Sequence, residues 1–305
     1  MRKAHSGRGG VLAALLVCVA SALANAQLPA EAPGMGETPP PVPTASTVEA
    51  PALAEEPLPY RPPSFPKMVL LDVGHVAASP FHWSGRDWLL VSASTAAVAT
   101  LSLADESLSN AARERGPALG FVGDTLEGLG DGRSFVLLGG FYLAGLIGRD
   151  SKAKNVFFDG LSASLIASGM ITPLVSTLVG RERPTQDMGG YAFHPFEGRA
   201  FPSGHTSQAF AVASVIATSY DQLWVKVAAY GAASVTAYRR VQRGKHFPTD
   251  VVVGAVIGTA VGRSVVHFNS KLRSGEKAKE SSRARLTILP VLGDGTYGLS
   301  ATLSF

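Results

Sequence analysis

The chain has 305 residues, of which 46% are hydrophobic and 16% charged, and its formal net charge is +4. The small net charge is not that of a strongly basic nucleic-acid-binding chain, and we expect no nucleic-acid partner. The single cysteine, Cys18, lies in the N-terminal segment described next, and the mature chain is therefore expected to have neither disulfides nor thiol chemistry.

The first 26 residues have the three-part pattern of a secretory signal. Basic residues precede the apolar run 11–23, and Ala24-Asn25-Ala26 forms an A-x-A cleavage site. We therefore expect this segment to be removed and the protein to be exported to the periplasm or cell envelope. Residues 27–66 are rich in proline and acidic side chains, a composition that predicts a disordered linker.

Residues 67–270 are long enough for one domain, and their apolar runs predict a mainly α-helical fold. Runs rich in Ala, Gly and Ser occur at 88–104, 135–148, 156–179, 207–219, 223–238 and 251–268. Fewer than half of these runs reach the ~20 apolar residues that cross a bilayer, so a soluble bundle and a membrane bundle both remain open. Residues 128–132, which are rich in glycine, are predicted to form a turn.

Two short polar blocks between these runs suit an anion such as phosphate. The first is Arg181-Glu182-Arg183-Pro184, and the second is Pro202-Ser203-Gly204-His205. An arginine such as Arg183 presents a planar fork of donors that matches phosphate oxygens. The second block precedes an apolar run, so it should lie at a helix N-terminus, where free N–H groups and the helix dipole favour an anion. There Gly204 lets the backbone approach an oxyanion, and Ser203 adds a hydroxyl donor.

A third block supplies groups for catalysis. Arg240 is a second arginine suited to phosphate, and His246 and Asp250 follow it. Pro248 is well placed for the first turn of a helix, which puts Asp250 one turn from His246. A carboxylate there can accept the proton of one imidazole nitrogen and leave the other free to attack. Two histidines, His246 and His205, can then divide the work of nucleophile and acid.

These blocks resemble the type 2 phosphatidic acid phosphatase (PAP2) superfamily, which includes bacterial acid phosphatases, lipid phosphatases and vanadium haloperoxidases. The family pattern is Lys, six residues, Arg-Pro; then Pro-Ser-Gly-His; then Ser-Arg, five residues, His, three residues, Asp. The chain has Arg183-Pro184, then Pro202 to His205, and then Arg240, His246 and Asp250 at this spacing.

The resemblance implies a helical bundle and a phosphohistidine mechanism. His246 would attack phosphorus while Asp250 orients it, and His205 would protonate the leaving alkoxide. Arg183, Arg240, Ser203 and the Gly204 amide would stabilise the phosphoryl oxygens, and no metal or other cofactor is implied. The expected partner is a phosphate ester substrate, with a membrane lipid as one candidate.

The chain departs from the family pattern at two positions. The family lysine falls on Ser176, and the family serine before Arg240 is replaced by Arg239. The missing lysine would remove a positive charge from the phosphoryl oxygens. Arg181 is therefore a further candidate phosphate ligand, because it lies two residues before Arg183 in the same segment.

Two other functions remain open from the sequence. Vanadate mimics the phosphoryl transition state, so a vanadium-dependent haloperoxidase is one alternative, and vanadate would otherwise act as an inhibitor. A non-catalytic phosphate- or lipid-binding envelope protein is the other, because Ser176 replaces the lysine.

The sites of membrane members of the family usually face away from the cytoplasm. If each run after a cleaved signal were a span, the later blocks would face the cytoplasm, so a soluble exported domain is favoured.

Residues 271–305 begin with a mainly basic tail and end in a pattern of two strands. Leu299, Ala301, Leu303 and Phe305 alternate with small polar residues, which is typical of a half-buried strand. We predict a β-hairpin that packs on the protein's own helices, since the chain has too few strands for an outer-membrane barrel.

Overall fold

The computed structural model describes residues 63–115, 120–186, 188–197, 200–275, 285–293 and 296–304. The predicted signal segment and nearly all of the predicted linker lie outside the described residues. Within them the chain is mainly α-helical, as the apolar runs predict.

The described part contains ten α-helices. They are α1 (Phe65–Ala78), α2 (Gly85–Ser102), α3 (Asp105–Glu114), α4 (Gly120–Glu127), α5 (Arg133–Ile147), α6 (Ser151–Ser164), α7 (Thr172–Val179), α8 (Gly204–Ser219), α9 (Leu223–Gln242) and α10 (Pro248–Ser274). Short 3-10 helices lie at Ser79–His82, Gly128–Gly130 and Pro184–Gln186, and a π-helix at Leu165–Ile171 joins α6 to α7. The apolar runs predict α2 and α5 to α10, whereas α1, α3 and α4 are additional elements.

Helix α8 lies at the centre of the bundle, and its residues 206–217 are all buried. Helix α10 packs on it through three glycines one turn apart, Gly254, Gly258 and Gly262. A Cβ at Gly254 would lie 2.7 Å from the carbonyl oxygen of Ser203, and one at Gly262 would lie 2.6 Å from another carbonyl of α8. Because no larger side chain fits, the two backbones approach closely, and the first turn of α10 lies beside the first turn of α8.

The long helix that contains α6 and α7 is fixed to the same end of α8. The π-helix continues the chain without a break, so residues 151–179 form one helical span. Thr172 Oγ1 donates to Ser207 Oγ at 3.0 Å, and Ser168 Oγ donates to the Gly204 carbonyl at 3.3 Å. The π segment therefore contacts the helix terminus where the sequence predicts the anion site.

Two of the described helices are long and apolar enough to cross a membrane, Ser151–Val179 and Pro248–Ser274. The bent pair α2 and α3 would bring the number to three if it forms one span. Large apolar side chains are exposed on many helices, among them Leu70, Trp88, Leu89, Val136, Leu143, Ile147, Leu174, Leu178 and Trp224. These features indicate membrane association, and the predicted preference for a soluble domain is not supported.

Beyond α10 in the sequence, Arg285–Gly293 (β1) and Thr296–Ser304 (β2) pair antiparallel, with Leu286 opposite Leu303. The packing of this hairpin on the helices stays a prediction, because the strand side chains lie outside the described part.

Candidate active site

Backbone hydrogen bonds join the three polar blocks at one end of the bundle. The Ala200 N–H donates to the Arg181 carbonyl at 2.8 Å, which ties the first block to the segment before α8. The Ser203 N–H donates to the Asp250 carbonyl at 3.0 Å, which ties the second block to the first turn of α10. The predicted convergence of sequence-distant blocks is therefore present in the fold.

His246 is buried, and its orientation is set by a group that the sequence did not predict. Its Nδ1 lies 2.7 Å from the Ala200 carbonyl oxygen but 3.7 Å from Asp250 Oδ2. A carbonyl can only accept, so Nδ1 carries a proton, and in the neutral ring the lone pair is then on Nε2. The prediction that Asp250 accepts the imidazole proton is wrong in this geometry, and Ala200 performs that role.

Asp250 is fully buried and is held by two donors. Its Oδ2 accepts the Phe247 N–H at 2.7 Å, which caps the first turn of α10, where Pro248 occupies the first helical position. Its Oδ1 accepts from Arg181 Nη1 at 2.8 Å. Asp250 therefore lies one turn from His246 as predicted, and at 3.7 Å it acts on the ring by its charge.

Arg181 is a buried structural residue and not a phosphate ligand, which corrects the prediction made for it. Its guanidinium donates five hydrogen bonds, to the Gly190 carbonyl from Nε and Nη2, to Thr249 Oγ1 and Asp250 from Nη1, and to Asp105 from Nη2. Arginine has five N–H donors, so none is left for a substrate. No local pattern in the sequence indicates that Arg181 is buried between two carboxyl groups, because Asp105 lies 76 residues earlier in the chain.

The other two predicted arginines retain donors for an anion. The Arg183 side chain is exposed, and no hydrogen bond or ion pair is recorded for it among the described residues. Arg240 is largely buried and donates from Nη1 to Glu127 Oε1 at 3.0 Å, whereas its buried Nε has no hydrogen-bond partner within the described part. An orphaned guanidinium N–H in a buried position is costly unless a ligand accepts it.

Ser203 and Gly204 begin α8 as the sequence predicts. Ser203 is the N-cap, and its Oγ accepts from Thr206 Oγ1 at 3.0 Å, so its hydroxyl proton can still be donated. The first-turn N–H groups of Gly204 and His205 have no acceptor within the helix. A Cβ at Gly204 would lie 3.6 Å from Thr172, an ordinary contact, so sterics alone do not demand glycine there.

His205 lies at the second position of α8, against the glycine-rich segment that the sequence predicts as a turn. A Cβ at Gly130 would lie 2.6 Å from the His205 Cβ, so the two segments are in direct contact. Burial is the largest cause that lowers the pKa of His205 to about 4, and the neighbouring positive charge of Arg240 is the next. This charge acts on His205 because the two groups lie close together, as the second and third blocks require.

The two positions at which the chain departs from the family pattern are both buried. Ser176, where the family lysine falls, is buried on α7, and Arg239 is buried on α9. Among the described residues, no group of three or more His, Cys, Asp or Glu side chains is arranged to hold a metal ion. The sequence reasoning missed Ala200, Asp105, Thr249 and Glu127.

Comparison with known proteins agrees with the resemblance drawn from the motifs. The sequence profile of the PAP2 superfamily matches residues 160–274. The lipid A 1-phosphatase of Rhizobium etli is 30% identical over 164 residues, which are 48% of this chain and 70% of that protein. The chain belongs to the PAP2 superfamily.

The chain is also similar to two further proteins. The lipid A 4'-phosphatase of Bacteroides thetaiotaomicron is 30% identical over 99 residues, or 30% of this chain and 44% of that protein. The match to the crystal structure of Aquifex aeolicus LpxE covers 53% of this chain and 93% of the LpxE chain, at 27% identity and a TM-score of 0.42.

Proposed function

We propose that the protein is a membrane-associated phosphatase that hydrolyses a phosphate monoester of a lipid, of the lipid A type, through a phosphohistidine on His246. Membership of the PAP2 superfamily and the names of the similar proteins support lipid phosphate hydrolysis. The observation that carries the mechanism is the 2.7 Å contact of His246 Nδ1 with the Ala200 carbonyl, which leaves Nε2 as the free nucleophile.

In the first step, the Nε2 lone pair of His246 attacks phosphorus and the bond to the lipid oxygen breaks. His205 donates a proton to that oxygen, so the lipid leaves as an alcohol. In the second step, neutral His205 takes a proton from water, the water oxygen attacks phosphorus, and the N–P bond breaks to release inorganic phosphate. The proton that His205 gives to the lipid oxygen in the first step is thus regained from water in the second.

The donors around this position suit the charge that develops on the phosphoryl oxygens. Arg240 offers its unpartnered Nε, Arg183 offers an exposed guanidinium, and the start of α8 offers the Ser203 hydroxyl with the amides of Gly204 and His205. Fixed donors of this kind contribute most of the transition-state stabilisation in phosphoryl transfer.

The position of the site along the helices favours a lipid substrate. Arg181 follows the end of the candidate span Ser151–Val179, and Asp250 lies in the first turn of the candidate span Pro248–Ser274. The site thus lies where two spans end on the same side. In a bilayer, this is the level of lipid headgroups and their phosphates.

The test is phosphate release by the purified, detergent-solubilised protein from a phosphorylated glucosamine lipid and from a soluble aryl phosphate. We expect vanadate-sensitive release, faster from the lipid, with an acid-labile phosphoenzyme that His246→Ala loses. His267→Ala, which changes an exposed histidine within α10, serves as the control. Release that persists in folded His246→Ala protein would remove the nucleophile, and no release by folded wild type would remove the phosphatase.

A further inference from the structure

A cluster of charged side chains from α4 and α9 borders the candidate site. Glu127 Oε1 accepts from Arg240 at 3.0 Å, and Glu127 Oε2 lies 3.0 Å from Arg243 Nε and 3.8 Å from Arg239 Nε. Asp124 pairs with both Arg239 and Arg243. The Thr236 hydroxyl donates to a carbonyl at the end of α4 at 2.7 Å, which fixes the two helices together.

The buried members of this cluster decide its electrostatic effect. The side chains of Arg239, Arg240 and Glu127 are 4%, 13% and 8% exposed, whereas those of Asp124 and Arg243 are about half exposed and therefore screened by water. Glu127 by itself would cancel the charge of Arg240. With Arg239 present, the three buried groups keep one positive charge beside the phosphate position.

The positive charge of Arg239 lies where the family pattern has a serine, and a positive charge of the family pattern is missing at a second position. Arg239 replaces the family serine, and Ser176 replaces the family lysine. The Arg239 guanidinium is held within the cluster, because its Nη1 donates to Gln242 and its Nη2 to Asp124, while its buried Nε has no hydrogen-bond partner among the described residues and lies 3.8 Å from Glu127 Oε2. We therefore expect its charge to act through Glu127 on Arg240.

Resting on the proposed phosphatase function, we propose that Glu127 is a positioning residue that holds the Arg240 guanidinium by Nη1, with Nε directed to the phosphoryl group. Arg239 offsets the Glu127 carboxylate, so that Arg240 acts on the substrate with its full charge. In this way the chain replaces the positive charge that Ser176 lacks.

The test is a double-mutant cycle on Arg239→Ser and Glu127→Gln, read by vanadate affinity and by kcat and KM on an aryl phosphate. We expect Arg239→Ser to weaken vanadate binding about tenfold, the size of one charge acting through a partly buried region. Adding Glu127→Gln should restore the affinity to within about threefold of wild type, because the uncompensated carboxylate is gone. Arg239→Lys should retain the affinity even where it lowers the melting temperature.

The controls separate an electrostatic role from a structural one. Asp221→Asn removes an exposed carboxylate at the opposite end of α8 and should leave vanadate binding unchanged. Additive effects in the double variant, or Arg239→Ser protein that binds vanadate as wild type does, would overturn the proposal. Vanadate binding needs no turnover, so the cycle gives its answer even if wild-type protein releases no phosphate. That last outcome contradicts the proposed function and not this inference.

Discussion

Arg181→Lys is the substitution that best separates a structural residue from a phosphate ligand. The arginine donates five hydrogen bonds in a buried position, and an ammonium has only three donors, so at least two bonds are lost. Bonds of this kind to charged groups contribute about 1.5–3 kcal/mol each, so we expect a loss of at least about 3 kcal/mol in the free energy of unfolding. In a domain of this size the melting temperature should fall by about 6–12 °C.

The kinetic result should have a defined form as well. Because none of the Arg181 donors faces the substrate, KM and vanadate affinity should change by less than about threefold, while kcat falls as Asp250 loses its anchor. Arg183→Lys is the matched control and should show the reverse, a weaker affinity for vanadate with an unchanged melting temperature, since its side chain is exposed. Vanadate binding weakened tenfold in Arg181→Lys protein with unaltered stability would show that Arg181 contacts the phosphoryl group after all.

Three further predictions concern the glycine-rich segment, the proposed acid His205 and the position of the family lysine. Gly130→Ala should lower both kcat and the melting temperature, because its Cβ would lie 2.6 Å from the His205 Cβ. The control Gly132→Ala should behave as wild type, because a Cβ there would have no atom within 4 Å. Equal effects of the two substitutions would contradict the close contact of Gly130 with His205. The pKa of His205 is about 4 in the free protein, so kcat/KM should decline as pH rises above that value. The decline of kcat should occur only at higher pH, because the bound anion favours the imidazolium. If kcat and kcat/KM declined at the same pH, His205 would be refuted as the acid. Because Arg239 replaces the charge of the family lysine, Ser176→Lys should change vanadate affinity by less than about threefold, and binding that is about tenfold tighter in a titration would show that the site still lacks one charge.

The parts of the site that lie close together in sequence could be predicted from it. Gly204 and His205 begin a helix because Pro202 and Ser203 precede an apolar run, and Asp250 caps a helix that Pro248 begins. The rest depends on contacts across long separations. Glu127 meets Arg240 over 113 residues, and the acceptor for His246 is a backbone carbonyl, which every residue has and no side chain reveals.

The prediction of a soluble domain counted every apolar run after the signal as a span. Among the described helices only two are long and apolar enough to cross a membrane, or three if the bent pair is one span, so that count does not hold. In the run 156–179 the chain passes through a π-helix before Pro173, which lies at an early position of α7. The result is a 29-residue helix with a mean hydropathy of 1.5 in its apolar window.

The two charged networks affect different groups in the proposed reaction, one the His246 ring and the other the phosphoryl oxygens. Behind His246, Arg181 lies between Asp105 and Asp250, so one guanidinium faces two carboxyl groups in this buried group of three. Attack by a neutral imidazole leaves a positive charge on the phosphorylated ring, and Asp250 at 3.7 Å stabilises that charge more than it stabilises the neutral ring. Beside the phosphoryl position, Arg239, Arg240 and Glu127 carry one positive charge. The field therefore favours movement of electrons from the ring to the phosphoryl oxygens, and this requires Arg181 to stay with the carboxylates and not to turn towards the substrate.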